Sequence, residues 1–194
     1  MATPAIFLDR DGTLIEDVGY VDRLERLRMY PWSIEAVRML RRVGYAVVVV
    51  TNQAGVARGM VDEKVVLEVR DHIQSQLGQI GERLDGHYHC PHLPDAPLIK
   101  YRCDCLCHKP KPGMVRQAAE ELALDLSRSV VVGDRKTDIE LAQSVGARGI
   151  LVKTGYGPSQ EALLSTGKAA DLVTSDLLAG VGWILNNLSR PDSK

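Results

Sequence analysis

Ala5-Ile6-Phe7-Leu8-Asp9-Arg10-Asp11-Gly12-Thr13 joins an apolar run to two carboxylates and a Gly-Thr turn. The first four residues read as a short buried strand, and the acids are released at its end. Ionised side chains are hardly ever fully buried unless they are paired or bind a metal. At a strand end they suit a hard cation and a phosphoryl group, with one carboxylate as nucleophile and the other as proton shuttle. A D-x-D alone also describes an ordinary solvated turn, so the surrounding chain has to decide.

Outward from this stretch, strand and helix patterns alternate. Ser33 is expected to cap a helix whose inward face is Ile34, Val37, Leu40 and Val43, ended by Gly44. Ala46-Val47-Val48-Val49-Val50 is a continuous apolar run of the kind found in a parallel sheet covered on both faces. Further helices are expected at about 62–77, 114–122, 137–145 (closed by Gly146) and 177–188. Strands are expected at 87–90, 130–132, 150–152 and near Leu172-Val173. The alternation predicts an α/β fold with a doubly wound, mainly parallel, Rossmann-like sheet. One domain is expected over residues 1–190, with 191–194 a tail. Two segments resist the alternation, 16–31 and a Cys/His-rich loop at about 88–110, and loops of this length are usually functional.

Composition sets the outer limits. The chain has 194 residues, 45% of them hydrophobic and 25% charged, with a net charge of −1. Interspersed charges give no support for a nucleic-acid or membrane surface, and no apolar run approaches the ~20 residues of a bilayer span. The N-terminus lacks a charged-then-apolar leader. A cytoplasmic monomer acting on a small molecule is the expectation. All four cysteines lie between Cys90 and Cys107, with His92 among them. In a reducing compartment such clustering favours a metal over disulfides.

Ligands in an open α/β sheet bind beyond the carboxyl ends of the strands. The segments found there are Asp9-Arg10-Asp11-Gly12-Thr13, then Thr51-Asn52-Gln53-Ala54-Gly55, and, after the strand at Val130, Gly133-Asp134-Arg135-Lys136-Thr137-Asp138. Lys109-Pro110-Lys111-Pro112-Gly113 precedes the third helix. Each has a bland alternative as a turn, a helix cap or a surface lysine. All four at one sheet edge, in this order, are far harder to obtain by accident.

Together they resemble the haloacid dehalogenase superfamily of phosphohydrolases, over nearly the whole chain. The resemblance implies that Asp9 attacks phosphorus and that Asp11 protonates the leaving oxygen and then activates water. It implies that Thr51 and Lys109 hold the phosphoryl oxygens. It assigns Mg²⁺ to Asp9, the Asp11 backbone carbonyl and Asp134, with Asp138 in support. Carboxylates crowded around a phosphate dianion need such a cation and Lys109 to offset their charge.

Cys90-Pro91-His92 and Cys105-Leu106-Cys107 supply three thiolates and an imidazole, a tetrahedral set for a structural Zn²⁺. Cys103 offers a competing C-x-C with Cys105. The resemblance favours Cys105 and Cys107, since it places the second pair just ahead of the motif lysine. Within the superfamily, the zinc loop, the absence of a large cap insertion and Gly19-Tyr20-Val21 resemble the heptose bisphosphate phosphatases, which serve envelope sugar synthesis. The histidinol-phosphate phosphatases are the near relatives and remain open as an alternative. That resemblance implies substrate contacts from Asp17, Val18, Gly19, Tyr20, Asn52, Gln53, Ala54 and His108. One departure is His108, where relatives usually carry Arg; a guanidinium clamps phosphate bidentately and a histidine does not. Arg135, Lys136, Arg58 and Lys111 remain candidates for a second phosphate. Trp32, where relatives tend to have Gly, is expected to pack. A binding module that has lost catalysis is a further reading, opposed by the retained Asp9, Asp11, Thr51, Lys109 and Asp134.

Overall fold

Uninterrupted apolar runs leave a strand no polar face, so each must be covered on both sides. The computed structural model describes residues 2–164 and 169–188, and the tail expected at 191–194 lies outside them. Six strands form one sheet: β1 Thr3–Leu8, β2 Ala46–Asn52, β3 Gly86–Cys90, β4 Leu124–Gly133, β5 Arg148–Val152 and β6 Leu172–Thr174. Their spatial order is β3-β2-β1-β4-β5-β6, and each neighbouring pair is parallel. The helices are α1 Ser33–Arg42, α2 Ala54–Ala57, α3 Glu63–Gly78, α4 Gly113–Leu122, α5 Lys136–Ser144, α6 Gly157–Leu164 and α7 Leu177–Asn187.

Alternate strand residues enter two separate cores. Ile6, Leu8, Val47, Val49, Val130 and Val132 pack with Val37 and Leu40 of α1, Val69 and Ile73 of α3, and Val181 of α7. Phe7, Val48, Val50 and Val131 pack on the other face with Met114 and Val115 of α4 and Leu141 of α5. The 16–31 segment forms only a single 3₁₀ turn, Leu24–Arg26, and no separate cap domain occurs among the described residues. No helix of the described residues is long and apolar enough to cross a membrane.

Two sequence expectations are corrected. Ser33 is not the cap of α1 but its first residue, behind Trp32; its hydroxyl donates to the Leu14 carbonyl at 2.7 Å, which anchors the helix start to the loop after β1. Trp32 stacks on Tyr30 with centroids 5.2 Å apart. The fourth strand begins at Leu124 rather than Val130. Its polar 125–129 stretch hides a bulge: Pro4 pairs with Asp125 but Ile6 with Val130, so two steps along β1 match five along β4. Asp125 folds the bulge by accepting from the Ser127 amide and hydroxyl. Ser129, buried at 1% exposure, then supplies the missing ladder partner, accepting from the Ala5 amide at 2.9 Å.

The sheet reverses direction of winding between β1 and β4, the crevice where α/β sheets place ligands. The bulge sets which residues emerge there together, because Leu8 ends opposite Val132. Ser129→Ala leaves the buried Ala5 amide without its partner, and the expected cost is about 1–3 kcal/mol in urea unfolding. An unchanged urea midpoint would show that the hydroxyl does not hold the bulge.

Candidate active site

Asp9 is the first residue past β1, and its amide donates to the Val132 carbonyl at 2.9 Å. Asp134 follows β4 directly. Gly12 lets the two loops meet: its φ is 82°, and a Cβ there would lie 2.2 Å from Asp134 Oδ2. The carboxylates of Asp9, Asp134 and Asp138 are buried, with oxygens all within 4.8 Å of one another.

Lys109, 3% exposed, bridges two of them. Its Nζ donates to Asp9 Oδ1 at 2.8 Å and to Asp138 Oδ1 at 2.7 Å. Asn52 grips the lysine backbone from β2, accepting from its amide at 2.9 Å and donating to its carbonyl at 3.1 Å. Burial opposes the charge on Lys109, but the carboxylates of Asp138 and Asp9 outweigh it and hold the ammonium above its usual range. Burial pushes Asp9 up to about 6, against the pull of Lys109 and with the push of Asp138. Burial, followed by the Asp9 charge, pushes Asp134 up to about 8.

Lys109 thus meets two of the three carboxylates directly, and the Arg135 guanidinium approaches Asp134 only at 3.9 Å. Asp138 spends its second oxygen on the Arg135 amide at 3.1 Å. Asp134 Oδ2 accepts from the Tyr156 amide at 2.7 Å, while its buried Oδ1 has no hydrogen-bond partner. Hard oxygen donors with surplus negative charge and an orphaned buried carboxylate oxygen fit a divalent cation such as Mg²⁺.

The Asp11 side chain lies outside this group. Its Oδ2 accepts from Arg10 Nε at 2.9 Å and its Oδ1 from Arg10 Nη2 at 3.1 Å. Gln53 Nε2 donates to both Asp11 Oδ2 and Thr51 Oγ1, each at 2.8 Å. Arg10 is 1% exposed, so Asp11 is positioned by a guanidinium locked in the protein.

These groups open into a cavity of about 450 Å³. Asp9, Asp11, Thr51 and Lys109 line it, together with Asn52, Gln53, Ala54 and His108. Asp17, Gly19, Tyr20 and Arg135 line it as well. Val18 does not line it: its side chain packs on the core and its carbonyl accepts from Arg26. Arg10, Leu93 and Tyr156 also line the cavity, unanticipated from sequence. Tyr156 follows β5 and carries Arg135 over its ring at 4.0 Å; the strand-end rule, extended to β5, would have found it.

Cys90, His92, Cys105 and Cys107 form a second cluster with ligand atoms within 4.8 Å of one another. The sulfur–sulfur separations are 3.1, 3.2 and 3.5 Å, and His92 Nδ1 lies 3.5 Å from Cys107 Sγ. A tetrahedral Zn²⁺ with Zn–S bonds of about 2.3 Å has edges near ~3.8 Å, so the donors fit with slight expansion. Cys103 is exposed and outside the cluster. His108 rests against it, with Nδ1 3.6 Å from Cys90 Sγ. Burial, with the Lys109, Lys111 and Arg58 charges, pulls His108 below its usual range.

A HAD-hydrolase-like family model matches residues 106–179, and the parallel sheet with its strand-end carboxylates agrees with it. The chain belongs to the HAD-like hydrolases and is a phosphatase. A D-glycero-β-D-manno-heptose-1,7-bisphosphate 7-phosphatase of Photorhabdus laumondii is 41% identical over 176 residues, 90% of this chain and 91% of that protein. A D-glycero-D-manno-heptose-1,7-bisphosphate 7-phosphatase of Thermosynechococcus vestitus is 40% identical over 194 residues, covering 97% of this chain and 99% of that one. The crystal structure of D,D-heptose 1,7-bisphosphate phosphatase from B. bronchiseptica, complexed with magnesium and phosphate, superposes with a TM-score of 0.82 at 33% identity, covering 95% and 99% of the two chains. Within the HAD-like class, the chain belongs to the heptose-1,7-bisphosphate 7-phosphatase family.

The buried acids also shape stability. Asp9 and Asp134 have folded pKa values above their common reference of 3.8, so the folded state holds more protons than the unfolded state from there to about 8. Stability of Mg²⁺-free protein therefore falls as pH rises through that window, and the expected melting temperature without added Mg²⁺ is lower at about pH 8.5 than at about pH 5.5. Mg²⁺ should restore most of the loss at the higher pH. An alkaline midpoint equal to the acidic one would contradict the raised pKa values of Asp9 and Asp134.

Proposed function

We propose that this chain is a Mg²⁺-dependent phosphatase that removes the C7 phosphate of D-glycero-D-manno-heptose 1,7-bisphosphate and leaves the 1-phosphate, supplying envelope sugar synthesis. The observation that carries it is the Lys109-bridged carboxylate group under a polar cavity, in a chain 41% identical to a named heptose bisphosphate phosphatase. A cation held by Asp9, Asp134 and the Asp11 carbonyl would offset phosphate charge and draw the phosphoryl group towards Asp9.

The residues divide the work. Lys109 engages Asp9 through Oδ1 only, leaving Oδ2 to attack phosphorus as the bond to the sugar oxygen breaks. Two Lys109 N–H groups are spent on Asp9 and Asp138, so the third serves a phosphoryl oxygen. Thr51 accepts from Gln53, which leaves its hydroxyl hydrogen to donate to another. Asp11 delivers a proton to the departing sugar oxygen. It then takes one from the water that splits the Asp9 acyl phosphate, and inorganic phosphate leaves. Zn²⁺ on Cys90, His92, Cys105 and Cys107 has a structural role. It fixes the loop whose next residues are His108 and Lys109.

Asp9→Asn keeps the shape of the side chain, and kcat should fall about 10³-fold or more; phosphate release at the wild-type rate would refute Asp9 as nucleophile. On a panel with Mg²⁺, the heptose bisphosphate should give the highest kcat/KM, and a clear preference for histidinol phosphate would reject the proposed substrate. For the loop, Cys103→Ser should retain one equivalent of zinc by elemental analysis, whereas Cys107→Ser should lose it. Stoichiometric zinc in Cys107→Ser would exclude the assigned ligand set.

A further inference from the structure

The charged groups lining the active-site cavity pair off with one left over. Asp9 holds Lys109 at 2.8 Å, Asp11 holds Arg10 at 2.9 Å, and Asp17 faces Arg135 at 3.4 Å. Arg135 also lies 3.9 Å from Asp134, so its charge is already met by two carboxylates. Arg58 is the remaining guanidinium on the wall, and among the described residues no carboxylate pairs with it. Its Nη1 donates instead to the neutral Tyr20 hydroxyl at 2.6 Å.

The backbone holds this pair in place. Arg58 caps the single turn of α2, so one helical turn separates it from the 51–53 segment that carries the phosphoryl-holding Thr51. Gly55 lies within that turn, and a Cβ there would stand 2.7 Å from the Tyr20 ring. The bare glycine lets the ring lie against α2 and bring its hydroxyl to the guanidinium. Other cations do not compete. Lys111 is paired with Asp104 and Lys136 with Glu140, and neither lines the cavity. His108 is turned to the sulfur cluster, with Nδ1 3.6 Å from Cys90 Sγ.

We infer that Arg58, steadied by Tyr20, anchors the second phosphate of the substrate, the one retained on the product, and so distinguishes a sugar bisphosphate from a monophosphate. The assignment rests on the bisphosphate reading above. A guanidinium with one donor on a phenol still presents several N–H groups to a phosphate dianion, in a planar array suited to bidentate contact. The position is exposed, which suits a group that must enter and leave with substrate and product.

The test compares kcat/KM for heptose 1,7-bisphosphate and heptose 7-phosphate in wild type, Arg58→Ala, Arg58→Lys and Tyr20→Phe. Wild type should prefer the bisphosphate. In Arg58→Ala that preference should fall about 10- to 100-fold, carried by KM more than kcat. Arg58→Lys should keep part of the preference, and Tyr20→Phe most of it with a raised KM for the bisphosphate. Thermal melts of each variant separate lost binding from lost folding. Wild-type preference retained in a folded Arg58→Ala would overturn the Arg58 assignment alone. A wild type indifferent between the two substrates would overturn the bisphosphate reading, and the anchor with it.

Discussion

Lys109 Nζ sits between Asp9 and Asp138, residues 100 and 29 positions away along the chain. A buried ammonium is unfavourable unless its charge is met, and clustered carboxylates are unfavourable unless theirs is. Each defect offsets the other, and the pairing closes only if β1, the loop before α4 and the start of α5 arrive at one point. Removing any member would strand the rest. Asn52 adds a second grip by holding the lysine backbone from the end of β2. The site is therefore a condition on the whole sheet edge rather than a set of side chains placed upon it.

The sheet meets that condition by controlling register. Two steps of β1 are matched to five of β4, with Ser129 completing the ladder across the gap. Beyond the gap the strands run in step, so Asp9 and Asp134 leave the sheet side by side. The backbone at Gly12 then clears the space that Asp134 occupies. Residues far from the substrate thus decide how close two like charges stand. Burial pushes both acids up, with Asp138 adding to the push on Asp9 and Asp9 to that on Asp134, and the crowding creates the demand for a cation.

Much of this was readable from sequence because burial and charge conflict openly there. Apolar runs had to be interior, with Asp9 and Asp134 at strand ends and Lys109 just before the third helix at the same sheet edge. What stayed hidden depends on partners that no local pattern names. The 125–129 stretch looks like a loop because its polar residues satisfy their own backbone inside a strand. Ser33 resembles a cap, yet its hydroxyl serves Leu14 across the chain. Asn52 and Gln53 read as substrate contacts, and the structure gives them Lys109 and the Asp11–Thr51 pair to hold. Val18 sits inside a lining segment but faces the core. Arg10, between the two acids, gave no sign that it would be buried and bound to Asp11.

Cys90 belongs to two structures at once. As the last residue of β3 it pairs in register with Asn52, and its carbonyl accepts from the Gln53 amide. As a member of the sulfur cluster it lies 3.1 Å from Cys107, two residues before Lys109. Asn52 in turn grips Lys109, so the path from β2 through β3, the cluster and the lysine returns to its starting point. A closed circuit of this kind has almost no slack. The cluster braces, from the β3 side, the same loop that Asn52 holds from the β2 side, so Lys109 is gripped from two neighbouring strands.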